Sequence, residues 1–190
     1  MNRLLIDFVE QIETPRLVLR IPRPGEGGEV YETVRTSFDE LHAWMPWATK
    51  QYGPEEAEAW CRKVRGDFLH RHEFHYMLRD RATGEHLGAV SAHHVDFEVP
   101  KCEIGYWLRT DRTGRGYMTE AVRALAEYLT GAHAFRRLAI RCDDENSRSA
   151  RVAELCGFEF EGTHRCEVRD HHARLRDYRV YARVSRGAGK

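Results

Sequence analysis

No surplus of charge marks this chain: 30 Lys and Arg are matched by 30 Asp and Glu over 190 residues. Nucleic acids and anionic membrane surfaces ordinarily recruit proteins through excess positive charge, so neither is expected as a partner. No apolar run approaches the ~20 residues of a membrane span. The stretch from Met1 to Glu10 has one short apolar patch interrupted by Arg3 and Asp7. It does not read as a signal peptide, and a cytoplasmic location is expected. The five cysteines (Cys61, Cys102, Cys142, Cys156, Cys166) are odd in number and form no C-x-x-C pair. They suit reduced, mostly buried thiols rather than a disulfide frame or a zinc site. The histidines His70, His72, His75, His93 and His94 lack a spacing that would set three ligands on one helix face. No acidic partner is placed with them, so no metal is expected. Repeats, low-complexity tracts and linkers are absent as well, and the length suits one domain over residues 1–190.

What is present is concentrated between Glu103 and Ala121. The aromatic and β-branched run Ile104, Tyr106, Trp107 predicts a strand. Met118, Ala121, Val122, Leu125 and Leu129 fall on one face of a 3.6-residue repeat and predict a long amphipathic helix. Between them lie Arg112, Thr113, Gly114, Arg115 and Gly116. Two glycines let the backbone turn tightly and approach a ligand. The following helix points unpaired N–H groups and its positive dipole end into that turn, which makes an anion site. The third glycine of a dinucleotide fingerprint and the Gly-Lys-Ser/Thr of a triphosphate loop are both missing.

Around this centre, Glu13–Arg20 alternates and predicts a first strand, followed by a glycine-rich loop and a helix from Glu29 to Phe38. Leu41–Trp47 is aromatic and broken by Pro46, and reads as a loop either packed over a cleft or anchored in the core. Pro54 begins a helix to His70. Strands follow at Phe74–Arg79 and His86–His94, then the central strand and helix, then a strand at Arg137–Cys142. Asn146–Phe158 reads as a capped helix ending at Gly157. Strands at Phe158–Glu167 and Leu175–Val184 close the chain, before a frayed tail at Arg186–Lys190. Strands that pair first as a meander and then alternate with helices make a mixed α/β or α+β domain of about seven strands.

The order of these motifs resembles the GNAT superfamily of acyl-CoA-dependent N-acyltransferases, in its RimJ/RimL branch. The likeness is carried by Thr14–Arg20, Glu103–Leu108, Gly114–Ala121, and Asn146 with Ser149 and Gly157-Phe158. Leu41–Trp47 followed by Pro54–Cys61 is similar to the ribosomal-protein-serine acetyltransferases in particular. The resemblance implies a mostly antiparallel central sheet with helices on both faces. It implies acetyl-CoA as cosubstrate, with the pyrophosphate cradled by backbone at Arg112, Thr113, Gly114, Arg115, Gly116, Tyr117 and Met118. The pantetheine arm would pair like a strand with Trp107, Leu108 and Arg109, and Asn146 would bond it from the other side. Asp111 stands where the family often carries Gln or Arg, and should face away from phosphate. The acceptor would be a protein N-terminus or a small amine. Oligomeric state stays open: homodimers are common among such proteins, and Trp44 or Trp47 could serve an interface.

Acyl transfer needs a neutral amine, a stabilised oxyanion and a protonated leaving thiolate. An α-amino group titrates at about 8, so a base has modest work. Glu103, on the central strand, is the first candidate base, and Glu167 the second; either could instead be a solvated strand carboxylate. The tyrosine that many such enzymes place seven residues after the asparagine is replaced by Ala153. Ser149, three residues from Asn146, offers a hydroxyl on the same face, or simply a backbone hydrogen bond near the helix start. The oxyanion would meet a backbone N–H near Trp107 or Leu108. The resemblance implies direct attack in a ternary complex, and Cys142, with no basic partner in the sequence pattern, is not expected to form an acyl-cysteine. A non-catalytic acyl-CoA-binding module is the alternative that the loss at Ala153 leaves open.

Overall fold

The computed structural model describes residues 2–185, so the expected tail at 186–190 lies outside the described residues. The β-prone runs form β1 (Gln11–Glu13), β2 (Leu17–Arg20), β3 (Phe74–Asp80) and β4 (His86–Asp96). Further along come β5 (Lys101–Leu108), β6 (Arg137–Asp143), β7 (Glu159–Arg169) and β8 (Leu175–Val184). They make one sheet in the order β1-β2-β3-β4-β5-β6-β8-β7. The sheet has one strand more than expected from the sequence. The addition is Gln11–Glu13, almost wholly ahead of the expected first strand Glu13–Arg20, and past Pro15, which cannot donate to a ladder, that strand begins only at Leu17. Gln11–Glu13 folds back antiparallel on Leu17–Arg20.

The helices are α1 (Gly27–Thr36), α2 (Phe38–Trp44), α3 (Pro54–Leu69), α4 (Tyr117–Ala132) and α5 (Ser147–Leu155). The loop expected over Leu41–Trp47 is corrected here: Leu41–Trp44 completes α2, and irregular chain starts at Met45. Asp39 and Glu40 sit in the first turn of α2, where carboxylates suit the dipole. Pro46 then forces Met45 into an extended conformation and ends the helix.

Side chains alternate across the sheet, and each face has its own helices. Tyr76 and Leu78 pack with Met118, Val122, Leu125 and Leu129 of α4 in the larger core. Met77, between them in sequence, points the other way and packs with Val30, Val34, Ala57 and Cys61 of α1 and α3. Each such buried aliphatic contributes about 2 kcal/mol.

One feature of the sheet positions everything that follows. β5 and β6 are its only parallel neighbours among the described residues, and they pair from Lys101↔Arg137 only to Glu103↔Ala139. Beyond that point β5 stays on β4 through Leu108, while β6 stays on β8 through Asp143. The two strands part, and the backbone of Gly105–Leu108 has no β6 neighbour.

Candidate active site at the parting of two strands

Period-two alternation gives β5 two chemically different faces. Tyr106 and Leu108 point toward a groove of about 740 Å³ that also takes in Gly114, Gly116, Asn146 and Ser149. Gly105 and Trp107 point into a second cavity of about 360 Å³ on the other side. Their cross-strand partners on β4, Ser91 and Ala89, line that same cavity. Its remaining walls are largely aromatic, with Trp47, Tyr52 and Trp60 among them. Met45, Tyr106 and Trp107 line both cavities, so the two meet beside the unpaired part of β5.

The glycine loop has the backbone its sequence implies. Gly114 and Gly116 adopt φ of +73° and +77°, a region costly for residues with a Cβ. Gly116 is the N-cap of α4, and no side chain caps that helix. The first-turn N–H groups have no intrahelical partner, and Gly116, Tyr117, Met118 and Thr119 all border the groove. The loop is held from outside by Arg16. Its Nη1 donates to the Arg115 carbonyl at 2.9 Å, its Nε lies 2.6 Å from Glu120, and its guanidinium covers the Tyr117 ring. Glu120 also accepts from the Thr14 hydroxyl at 2.6 Å. Burial pushes the Glu120 carboxyl up, but bonds from Thr14 and Arg16 outweigh it and hold it below the usual range.

Three of the expected cofactor residues do not send their side chains into the groove. Arg109 is bound to Glu85 at 2.6 Å and to Asp111 at 2.6 Å, and Arg112 is bound to Glu85 at 2.7 Å. Arg115 is not among the groove residues either. Asp111 is turned to Arg109, so it faces away from the glycine loop, as expected. Trp107, Leu108, Thr113, Gly114, Gly116, Tyr117, Met118, Asn146 and Ser149 do border the groove. Any anion held here would thus meet backbone N–H groups rather than a fork of arginines, apart from Arg148 and Arg151 at the rim.

Asn146 caps α5 by accepting from the Ser149 N–H at 3.0 Å. That leaves the Ser149 hydroxyl for another partner, and it lies 3.0 Å from the Tyr106 hydroxyl. Tyr106 can also donate to the Ser149 carbonyl at 3.0 Å. Burial raises the Tyr106 phenol far above its ordinary value, so it stays protonated. The helix with Ala153 has no tyrosine, yet the fold brings one to it from β5. Cys142 is buried, and burial, the largest influence, pushes its thiol up, away from the thiolate a nucleophile requires.

Glu103 and Glu167 border neither cavity. Glu167 is ion-paired with Arg141 and lies 3.6 Å from His164. Glu103 sits immediately behind His93, which does line the aromatic cavity; His93 Nε2 and Glu103 Oε1 are 3.4 Å apart. His94 Nδ1 is 3.4 Å from the other oxygen. The expectation that no acidic group accompanies these histidines is therefore corrected: register pairs His93 directly with Glu103. Arg141 Nη1, 4.0 Å from the same carboxylate, already supplies a cation to this group. Sequence reading missed Tyr106 and His93 as site residues. The alternation of β5 was visible, but not which strand or helix each face would meet.

A family model described as acetyltransferase (GNAT) domain matches residues 16–159. A ribosomal-protein-serine acetyltransferase of Escherichia coli (strain K12) is 30% identical over 102 residues, covering 53% of this chain and 57% of that protein. The chain thus matches little more than half of that relative's length. A putative ribosomal N-acetyltransferase, YdaF, of Bacillus subtilis (strain 168) is 27% identical over 150 residues, 77% of this chain and 79% of the relative. Among solved structures, RimL, a ribosomal L7/L12 alpha-N-protein acetyltransferase in complex with coenzyme A, superposes with a TM-score of 0.86 at 22% identity. That match covers 92% of this chain and 98% of the other, and shows the shared fold. No helix among the described residues is long and apolar enough to cross a membrane.

Proposed function

The chain belongs to the GNAT acetyltransferase family, and from that footing we propose that it transfers acetyl from acetyl-CoA to the N-terminal α-amino group of a protein, such as a ribosomal protein. On this reading residues 1–190 form one acyl-CoA N-acyltransferase domain acting in the cytoplasm. The observation that carries it is the meeting of two cavities at Met45, Tyr106 and Trp107. The larger is bordered by the uncapped N-terminus of α4. The other is short and aromatic. A cofactor with a pyrophosphate at one end and a thioester at the other fits the first, and an amine entering the second would reach the thioester where they join.

The residues of this chain then divide the work. Backbone N–H groups from Thr113 to Met118 hold the pyrophosphate, favoured by the dipole of α4. The edge of β5 without a β6 neighbour, at Trp107 and Leu108 and on to Arg109, whose own N–H is taken by the Leu87 carbonyl, takes the amide-rich arm as an added strand, with the Asn146 side-chain amide opposite. A backbone N–H near Trp107 or Leu108 receives the oxyanion. Ser149, backed by Tyr106, protonates the leaving thiolate. Glu103 serves the acceptor side, while Glu167 steadies Arg141. The names of the relatives support a protein acceptor.

A small-amine acceptor is the second reading, favoured by the enclosed size and aromatic walls of the shorter cavity. Among its lining residues there is no carboxylate. Polyamines and aminoglycosides, which carry several ammonium groups, would find no counter-ions there. The deciding experiment measures release of free coenzyme A from acetyl-CoA with a thiol reagent. The panel holds peptides beginning with Ser or Ala, apolar monoamines, a polyamine and an aminoglycoside. Turnover on peptides is the expected result. Turnover confined to monoamines would move the assignment to a metabolite acetyltransferase, and silence across the panel with intact acetyl-CoA binding would overturn catalysis itself.

The cofactor assignment has its own test in Gly116→Val. A Cβ at Gly116 meets only Arg16 Nη2, at 3.5 Å, so the fold survives. The branched side chain must hold a left-handed φ and stand between the backbone and the pyrophosphate. We expect coenzyme A affinity to fall at least about 100-fold, which is about 2.7 kcal/mol. Calorimetry showing affinity within about threefold of wild type would remove the loop from the binding site.

A further inference from the structure

His93 and His94 are consecutive, and consecutive strand residues point to opposite faces. Here both imidazoles reach one carboxylate, Glu103. The backbone achieves this with a break in the β4–β5 register between His93 and Asp96 and a left-handed φ of +51° at His94. A non-glycine residue held there costs about 1 kcal/mol or more, and such strain is retained where the surroundings over-determine it. The other edge of the His93 ring is fixed as well. Its Nδ1 lies 3.4 Å from the Ser91 hydroxyl, and the ring lies across Gly105, where a Cβ would come within 2.8 Å of its Cε1. A glycine inside a strand marks such a close approach.

We propose that His93 is the group that takes the proton from the incoming amine, with Glu103 as the positioning residue that fixes its tautomer. This rests on the acetyltransferase reading above. With the proton on Nε2, 3.4 Å from Glu103, the Nδ1 lone pair is left on the side of Ser91, whose hydroxyl donates to the Gly105 carbonyl at 3.3 Å. The acceptor arrives as an ammonium ion and must lose two protons to become an amide. The first passes to Nδ1 of His93 and from there to solvent, where the exposed His94 stands on the far side of Glu103. The freed nitrogen lone pair attacks the thioester carbonyl carbon, and the C–S bond breaks with its electron pair going to sulfur. Ser149 protonates that sulfur, and the second proton from nitrogen replaces the one Ser149 gave. Ammonium plus thioester thus yields amide, free thiol and one proton released.

Glu103 itself is poorly suited to take the proton. Burial pushes its carboxyl up, but His93, Arg141 and His94 outweigh that and hold it below the ordinary range. Imidazole is the side chain that exchanges protons most readily near neutral pH. The charged and titratable groups around His93 are Glu103 from β5, with Arg141 from β6 and His94 on the same carboxylate, His75 from β3, and Glu73 just before β3. His75 is itself held 2.9 Å from Glu73.

The test is the pH profile of kcat/KM for whichever amine the panel identifies, in wild type, H93Q, E103Q and H93A. H93Q should lower kcat/KM about 100-fold or more and leave only the acidic limb set by the amine's own ionisation, with acetyl-CoA affinity unchanged by calorimetry. E103Q should lower kcat/KM with acetyl-CoA affinity unchanged, because the imidazole loses the carboxylate that orients it. Added imidazole should restore part of the rate to H93A by filling the space over Gly105, a result that a purely structural role would not give. An H93Q enzyme that melts normally, keeps the wild-type pH profile and stays within about threefold of wild type would overturn the assignment and leave the acetyltransferase reading standing. A wild-type protein silent on every amine would overturn both.

Discussion

Replacing Gly88 by Ala should destabilise the protein more than any other single methyl addition in the sheet. Gly88 has φ of +153°, and a Cβ there would sit 2.2 Å from the Trp107 carbonyl oxygen and 2.9 Å from the Leu108 Cα. Those are backbone atoms, so no rotamer change relieves the clash. β4 and β5 would have to separate at the end of β5. Buried His86 braces this point: one ring nitrogen is 2.9 Å from the Gly88 carbonyl and the other 3.0 Å from the Thr33 hydroxyl. Its burial pushes the imidazole pKa down to about 4, so it cannot soften the contact by charging near neutral pH. Strain at the backbone and overpacking together predict a loss of about 3 kcal/mol or more. For a chain of this size that is roughly a 10 °C drop in Tm. Gly131→Ala, at an open helical position with nothing within 4 Å, is the control and should melt at or slightly above wild type. A Gly88→Ala variant that melts with the control would mean that β4 and β5 are further apart in solution than this geometry requires. Because the displaced end of β5 also carries the edge proposed to pair with the pantetheine arm, weaker coenzyme A binding should accompany the lost stability.

Ser149→Ala should cost about 100-fold in kcat while leaving acetyl-CoA binding within about threefold. Its backbone N–H, not its hydroxyl, closes the Asn146 cap, so the helix start survives the substitution. The hydroxyl is directed to Tyr106. General acid catalysis contributes about 10²–10⁴-fold, and a coenzyme A thiolate leaves well enough to put this case at the low end. Tyr106→Phe should cost about 10-fold, since the serine then loses only its partner, and the double variant should be no slower than Ser149→Ala alone. Additive losses would mean that the two hydroxyls act separately. An unchanged kcat for Ser149→Ala, in stopped-flow measurement of thiol release, would show that solvent protonates the thiolate.

Local elements were legible because their causes are local. The left-handed turn at Gly114 and Gly116 follows from residues that tolerate positive φ. The face of α4 that enters the core follows from a 3.6-residue repeat, and the cap at Asn146 follows from a side chain that reaches a backbone N–H three residues on. The order of these pieces resembles the GNAT family, and that resemblance implies the sheet, its helices on both faces and a coenzyme A site along β5. Errors fell where a proline interrupted a pattern. The short strand Gln11–Glu13 ahead of Pro15 is missing from the expectation, and Pro46 ends a helix whose last turn reads as part of the aromatic loop.

Tertiary structure alone decided which functional groups meet. Tyr106 and Ser149 are 43 residues apart in sequence, and they touch because β5 and β6 part after Glu103 and α5 crosses the gap. His93 faces Glu103 because β4 and β5 pair in one register; a shift of one residue would put Glu103 against Ala92 or His94 and turn the histidine from the cavity. Arg112 reads as a phosphate ligand in sequence, yet Glu85 from the turn before β4 takes its charge. Side-chain periodicity tells which residues share a face. The partner across that face is set by strand register and by where strands diverge, and those depend on contacts between distant parts of the chain.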